Sequence, residues 1–376
     1  MNSDLTVSEL FKAYYDCRKA KRNTWNALLF EENLERNLME LYYELIENRY
    51  VPQRSICFVV TKPKAREVWA ANFRDRIVHH VIYNRYSQLF YNSFIYDTYA
   101  CIPEKGTLKA AKRVQHFMKS ASLNSTIPAF YMKADVANFF VSINKDILGA
   151  LLEKKIIDTW WLDLTKIVLY NDHKKNVLIK SSKWLLQKVP QHKSLLRTNH
   201  DLGLPIGNLS SQFFANVYLN ELDQYAKHVL KIKYYARYVD DIVAIDSDAH
   251  KLHTDYVKMN TFIFEKLGIQ FHPNKKEINK IENGVNFVGF IIKPYCCYVR
   301  RSTIQNCYQK IKNKTDLAEL YPTVNSYFGM LRHTNSYKER LKLAKKLGIV
   351  GAWFNGKLTK MVIRNRKNYV HTINKH

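Results

Sequence analysis

Three aspartates stand where short apolar strands would hold them together. Asp135 ends the run Ala129 to Ala134, and Asp240-Asp241 follows Tyr238-Val239 at the bend between the runs Tyr234 to Val239 and Ile242 to Ile245. Carboxylates at a strand end and at a nearby hairpin tip match the needs of two-metal nucleotidyl transfer. That chemistry uses two divalent ions roughly 3.5–4 Å apart, one activating an attacking 3′-hydroxyl and one steadying a triphosphate. Mg²⁺ suits the task because it binds a few carboxylates and takes its other ligands from water and phosphate. Taken alone, Asp240-Asp241 is as readily a solvated turn pair as a metal site. The apolar strands that bracket it, and Asp135 about a hundred residues upstream, favour the metal reading. Asp246 and Asp248 match no such pattern and read as solvated loop acids.

The elements that must carry these acids follow from periodicity. Leu10, Tyr14, Leu34, Leu38, Leu41 and Leu45 recur at helical spacing, so the spacing predicts an amphipathic helical entry over residues 8–48. Ser55 to Val60 and Val68 to Ala70 flank Thr61-Lys62-Pro63-Lys64-Ala65-Arg66, which reads as a hairpin with a basic tip able to close over a phosphate. Helices are expected over 74–90, from Thr107 to about Lys119, and from near Lys145 towards Tyr170. The polar, basic and weakly periodic stretch 171–202 reads as an extended insertion or flexible loop. Gly203 to Gln212 is turn-rich and leads into a helix whose apolar face is Phe214, Val217, Tyr218, Leu222 and Tyr225. A helix at 250–267, strands around 285–300 and a basic helical remainder from about 303 complete the order.

Composition bounds the partners. The chain has 376 residues, is 47% hydrophobic and 13% aromatic, and carries 59 Lys and Arg against 33 Asp and Glu, a formal charge of +26. Such a chain fills real cores, and its charge excess calls for a polyanion. Basic residues recur from Arg18-Lys19 through Lys174-Lys175 to Arg364-Arg366-Lys367, interleaved with Tyr and Phe, as a nucleic-acid track requires. No run approaches the eighteen apolar residues of a membrane helix, and Met1 to Glu9 lacks the layout of a secretion signal. The expected location is the cytoplasm of a bacterial or archaeal cell, or that of a phage host. The six cysteines show neither metal-ligand nor disulfide-framework spacing and read as reduced thiols.

Tyr238-Val239-Asp240-Asp241 resembles the catalytic Tyr-x-Asp-Asp signature of reverse transcriptases, and Asp135 through Phe140 resembles their first palm motif. The resemblance spans roughly residues 20–345 in the family's order. It implies an α+β right-hand polymerase: a helical extension (1–50), fingers and palm with an antiparallel sheet packed on helices (51–290), and a helical basic thumb and tail (291–376). It further implies two Mg²⁺ ions, with Mn²⁺ able to substitute, held by Asp135, the Val136 carbonyl, Asp240 and Asp241. Lys64 and Arg66 correspond to the cations that grip the triphosphate, Phe140 to the residue beneath the sugar that excludes a 2′-hydroxyl, and Lys275 to a lysine near the leaving pyrophosphate. Phe73-Arg74-Asp75-Arg76 resembles a template-supporting element, though Asp75 is as readily a local partner for an Arg. Phe287-Val288-Gly289 corresponds to the primer grip.

Within the family, Ile206 to Gln212 ends in Ser-Gln as in diversity-generating retroelements, whereas intron and retron enzymes usually end in Ser-Pro. Tyr99 to Thr107 and Phe214 to Asp223 resemble the same branch. That branch implies error-prone copying of template RNA at adenines, with Arg66, Ile206 and Gln212 bordering the templating pair and Gln212 also contacting the incoming nucleotide. It also implies dNTPs, primer strand and cDNA as partners, and a small basic accessory protein forming a pentameric barrel. The alternatives are a retron, group II intron or phage-defence enzyme and, from another class, a catalytically inactive RNA-binding scaffold. No nuclease-like cluster follows the thumb, so a partner is expected to supply other steps.

Overall fold

The computed structural model describes residues 4–19, 21–314, 316–348 and 351–362. The basic Arg364-Arg366-Lys367 stretch lies outside them. In chain order the strands are β1 (Ser55–Val60), β2 (Arg66–Ala70), β3 (Phe130–Asp135), β4 (Val177–Ile179), β5 (Tyr234–Tyr238) and β6 (Asp241–Asp246). They continue as β7 (Glu277–Lys280), β8 (Val285–Phe287), β9 (Phe290–Ile292), β10 (Cys297–Val299), β11 (Trp353–Phe354) and β12 (Met361–Val362). The central sheet has the order β5-β6-β3-β7. Two compact units share this chain, the first built from residues 1–104, 134–242 and 254–276, the second from 105–133, 243–253 and 277–376.

In the first unit, the helical entry takes form as the helices Val7–Arg18, Trp25–Glu31 and Leu34–Ile46. Thr6 opens it with a capping box: its hydroxyl accepts from the Glu9 amide and the Glu9 carboxylate accepts from the Thr6 amide. Leu10, Ala13, Tyr14 and Cys17, three and four residues apart, are the side it buries. The helix Phe73–Tyr91, capped by Asn72, supplies the surface against which it packs.

β1 and β2 form the expected antiparallel hairpin, with Val60 opposite Arg66 and the basic turn between them. The stretch 171–202 differs from the extended loop expected of it. β4 pairs in parallel with β1, Ser55 opposite Val177, and Leu195 joins Cys57 and Trp69 in a buried cluster. Its few apolar residues are spent on these long-range contacts, so they leave no local periodicity to read.

The helix Leu209–Gln224 also departs from a simple amphipathic reading, because Ser210, Ser211, Asn216, Asn220 and Asp223 are buried along with its apolar face. Several of these polar groups have partners: the Asn216 amide donates to the Ala100 carbonyl at 2.8 Å, and Asp223 pairs with Arg237. Tyr225, expected on the apolar face, begins a π-helical turn and stacks on Phe262 with ring centroids 4.1 Å apart.

In the second unit, β8, β9 and β10 form an antiparallel sheet. The β8–β9 turn needs left-handed backbone at both Val288 (φ 45°) and Gly289 (φ 94°). The helices Arg301–Ile311, Leu317–Leu331 and Tyr337–Gly348 follow, and Leu320, Val324, Phe328 and Leu331 make one buried stripe on the middle one.

Candidate active site

β5 and β6 are joined by the tip residues Val239 and Asp240. Val239 sits at φ 54°, a conformation that costs a β-branched residue about 1–2 kcal/mol. It is held there from below. Arg237 Nη1 donates to the Val239 carbonyl at 3.0 Å, while Arg237 Nε and Nη2 bond Asp223 at 2.7–2.9 Å. Both side chains of that ion pair are fully buried. The hydroxyls of Thr98 and Tyr235 complete the shell of Asp223 at 2.8 and 2.9 Å.

Two further backbone bonds fix the neighbouring strand end. The Val136 amide donates to the Asp240 carbonyl at 3.2 Å, and the His272 amide donates to the Asp135 carbonyl at 2.7 Å. Hairpin tip, strand end and the turn at Pro273–Lys275 are thereby tied at one place. Asp135 and Asp240 consequently feel one another. Burial, then the charges of Asp135 and Asp241, push the Asp240 carboxyl up to about 6 against the partial relief offered by Lys275. The Lys275 ammonium forms an ion pair with Asp135.

A crowded carboxylate centre of this kind, relieved by a lysine, fits a divalent cation. Among the described residues no three His, Cys, Asp or Glu side chains stand close enough to form a ready-made cage. Mg²⁺ needs no such cage, since water and substrate phosphate complete its shell.

The acids open onto a cleft of about 760 Å³. Asp135, Val136, Phe140, Asp240, Asp241 and Lys275 line it, and so do Lys64, Arg66 and Ile206. The basic fingers turn therefore faces the same space as the acids. Among the described residues, neither Lys64 nor Arg66 is paired with a carboxylate. Phe140 is half-buried at the cleft, whereas Phe139 is a core residue. Ile206 reaches the cleft because its carbonyl accepts from the Trp69 amide at 2.7 Å. A Cβ on Gly207 (φ +126°) would stand 2.6 Å from the Trp69 carbonyl oxygen, so only glycine admits this approach.

Gln212, expected beside the templating pair and the incoming nucleotide, is instead exposed and does not line the cleft, its side chain being engaged by another segment. Its Oε1 accepts from the Cys101 thiol at 3.2 Å. With Asn216 bonded to Ala100, the three segments that carry the narrower resemblance, 99–107, 206–212 and 214–223, meet. Asp75 proves to be a clasp: it is buried and accepts from the Tyr50 hydroxyl at 3.0 Å, the Gln53 amide at 2.8 Å and Arg74. Burial pushes its carboxyl up despite these donors. Asp246 pairs with Lys251 and Asp248 accepts from the His250 amide, as befits loop acids. All six cysteines are free thiols. Phe287, Val288 and Gly289 form the β8–β9 turn of the second unit, with Phe287 buried.

Sequence reasoning missed Arg237 and Lys193. An arginine inside the apolar run Tyr234 to Val239 was a usable signal for a buried pair. Lys193, which also lines the cleft, had none.

A carboxylate hairpin and a basic turn thus face one cleft, an arrangement suited to a polyphosphate bound through a divalent cation. Residues 60–292 match the family model described as reverse transcriptase (RNA-dependent DNA polymerase), and the chain belongs to that family. Its fold is accordingly the α+β fold of reverse transcriptases. A "Putative COX1/OXI3 intron 2 protein" of Saccharomyces cerevisiae is 20% identical over 300 residues, 65% of this chain. This chain spans about a third of that protein's length, 32%. Among solved structures, telomerase from Candida albicans in complex with a TWJ fragment of telomeric RNA covers 78% of this chain and 55% of its own at 10% identity and a TM-score of 0.47. Apo telomerase from Candida tropicalis covers 82% and 62% at 12% identity and a TM-score of 0.48. The family assignment rests on the 60–292 match.

Proposed function

We propose that this chain is an RNA-directed DNA polymerase that copies a template RNA into cDNA within a diversity-generating retroelement. The observation that carries the polymerase reading is a single cleft with Asp135, Asp240 and Asp241 and the cations Lys64 and Arg66 on its walls. In this reading Asp135, the Val136 carbonyl, Asp240 and Asp241 would hold Mg²⁺, which would supply activation of the primer 3′-hydroxyl and charge neutralisation of the triphosphate. Lys64 and Arg66 grip the triphosphate by point charge and by fork. Phe140 lies beneath the sugar, and Lys275, now paired with Asp135, would be the proton donor to the departing pyrophosphate. The turn Val288-Gly289, anchored by buried Phe287, is the part assigned to the primer strand.

The narrower reading is supported by Gln212. Its amide stands where intron enzymes carry proline, and it is bonded to Cys101 of another segment of the same resemblance. Template RNA, primer, dNTPs and a small basic accessory barrel are the partners it calls for, in a cytoplasmic setting. An intron-type enzyme is the second reading, favoured by the intron protein among its relatives.

Both are tested by RNA-templated primer extension with Mg²⁺, followed by sequencing of the cDNA. The retroelement reading expects errors concentrated at template adenines. Uniformly low error would leave the intron-type reading, and no extension with any divalent metal would refute the polymerase reading.

A further inference from the structure

Three cations of the cleft, Lys64, Arg66 and Lys193, are without a carboxylate partner among the described residues. The third comes from the stretch 171–202, outside every motif of the sequence. Its position is set by a buried carboxylate. Glu67 follows Arg66 on β2 and, by strand alternation, points to the opposite face. There it accepts from the Ser194 hydroxyl and from the amides of Leu195 at 2.8 Å and Leu196 at 3.3 Å. Leu195 is seated at the same place against Cys57 and Trp69. The anchor is thus one residue from Arg66 on one side and one residue from Lys193 on the other, so the two cations are fixed relative to each other through Glu67–Ser194.

We infer that Lys193 is a phosphate-binding residue, a further cation for the triphosphate of the incoming nucleotide, held in the cleft by the Glu67 anchor. The crowd it joins is consistent with that role. Burial and then the charges of Lys275, Lys64 and Arg66 hold its ammonium below the ordinary lysine range, with Asp135 opposing. Like charges gathered in a cleft, only Lys275 of them in an ion pair with a carboxylate among the described residues, are stabilised when a polyanion arrives. Lys188, the other lysine of this stretch at the cleft, has its ammonium 3.5 Å from the centroid of the Trp184 ring and is already engaged.

The role rests on the polymerase reading, and two measurements separate them. In primer extension by the full chain, Lys193→Met is expected to raise the KM for dNTP about 10-fold, the loss of one charge-assisted bond. The kcat should change far less, binding of the RNA–primer duplex not at all, and Lys193→Arg should restore the KM. Independently of synthesis, binding of inorganic tripolyphosphate to the metal-free protein should weaken about 10-fold in Lys193→Met. An unchanged dNTP KM combined with weaker duplex binding would assign the lysine to the template strand and overturn the inference. Unchanged tripolyphosphate binding would overturn it too. A wild-type protein that binds tripolyphosphate through Lys193 but extends no primer would refute the polymerase reading alone.

Discussion

Two ion pairs of the first unit lie close to the same hairpin and are built to opposite ends. Arg237–Asp223 is sealed, every charged atom bonded and no surface exposed. Asp135–Lys275 is open, its side chains 18% and 40% exposed. A sealed pair cannot exchange partners without breaking the core, so its work is to hold Val239 and thereby aim the acids. An open pair can trade its lysine for a metal ion. The same chemical contact is therefore a strut in one place and, on the function proposed above, a placeholder for metal in the other, and desolvation makes the difference.

Breaking the strut should have the largest effect on stability. Asp223→Asn or Arg237→Met, each leaving a buried charge unpaired, is expected to destabilise the fold by about 3–5 kcal/mol. Denaturant unfolding of each variant measures this, and a loss under about 1 kcal/mol, the range of an exposed pair, would erase the contrast.

Next comes Asp240, whose titration reports the crowding at the hairpin tip. Because its folded carboxyl sits at about 6, above the ordinary 3.8, the folded state favours the protonated form. That contribution is fully present below about pH 4 and is lost as pH rises through about 6. Without metal, Asp240→Asn should therefore stabilise the protein at pH 7.5 by about 1–3 kcal/mol, with the gain fading below pH 6. Divalent metal should reverse the order, stabilising the wild type alone, and its affinity should fall as pH drops below about 6. Thermal melts across pH with and without Mg²⁺ read both effects. A gain that persists at pH 4 would place its cause outside this carboxyl.

The smallest effect belongs to the placeholder. Lys275→Met should cost about 0–1 kcal/mol of stability. It should also tighten divalent-ion binding in the absence of nucleotide, since no ammonium competes for Asp135. Titration with Mn²⁺ checks this, and weaker binding in the variant would mean that the lysine assists the ion instead of yielding to it.

How much of this was legible in the sequence depends on distance along the chain. The hairpin Tyr234 to Ile245 announces itself because two short apolar runs, a bend and two acids fall within a dozen or so residues. The helical entry was equally plain from its leucine spacing. The stretch 171–202 was not, because its order comes from β1 and Glu67, more than a hundred residues away, and pairing at that range leaves no local period. Nor could the burial of Asn216 and Asp223 be read from their helix. Their partners, Ala100 and Arg237, lie on other segments, and only the fold supplies them. Asp135, Asp240 and Asp241 were found through the motifs around them, and the structure adds the backbone bonds that gather them.

On the function proposed above, these acids are the seat of RNA-templated DNA synthesis. Primer extension and RNA binding, measured side by side for the wild type and for Asp240→Ala with Asp241→Ala, test it most directly. Synthesis should fall to background in the double variant while RNA is bound as tightly as before. Equal synthesis by the two proteins would contradict the account.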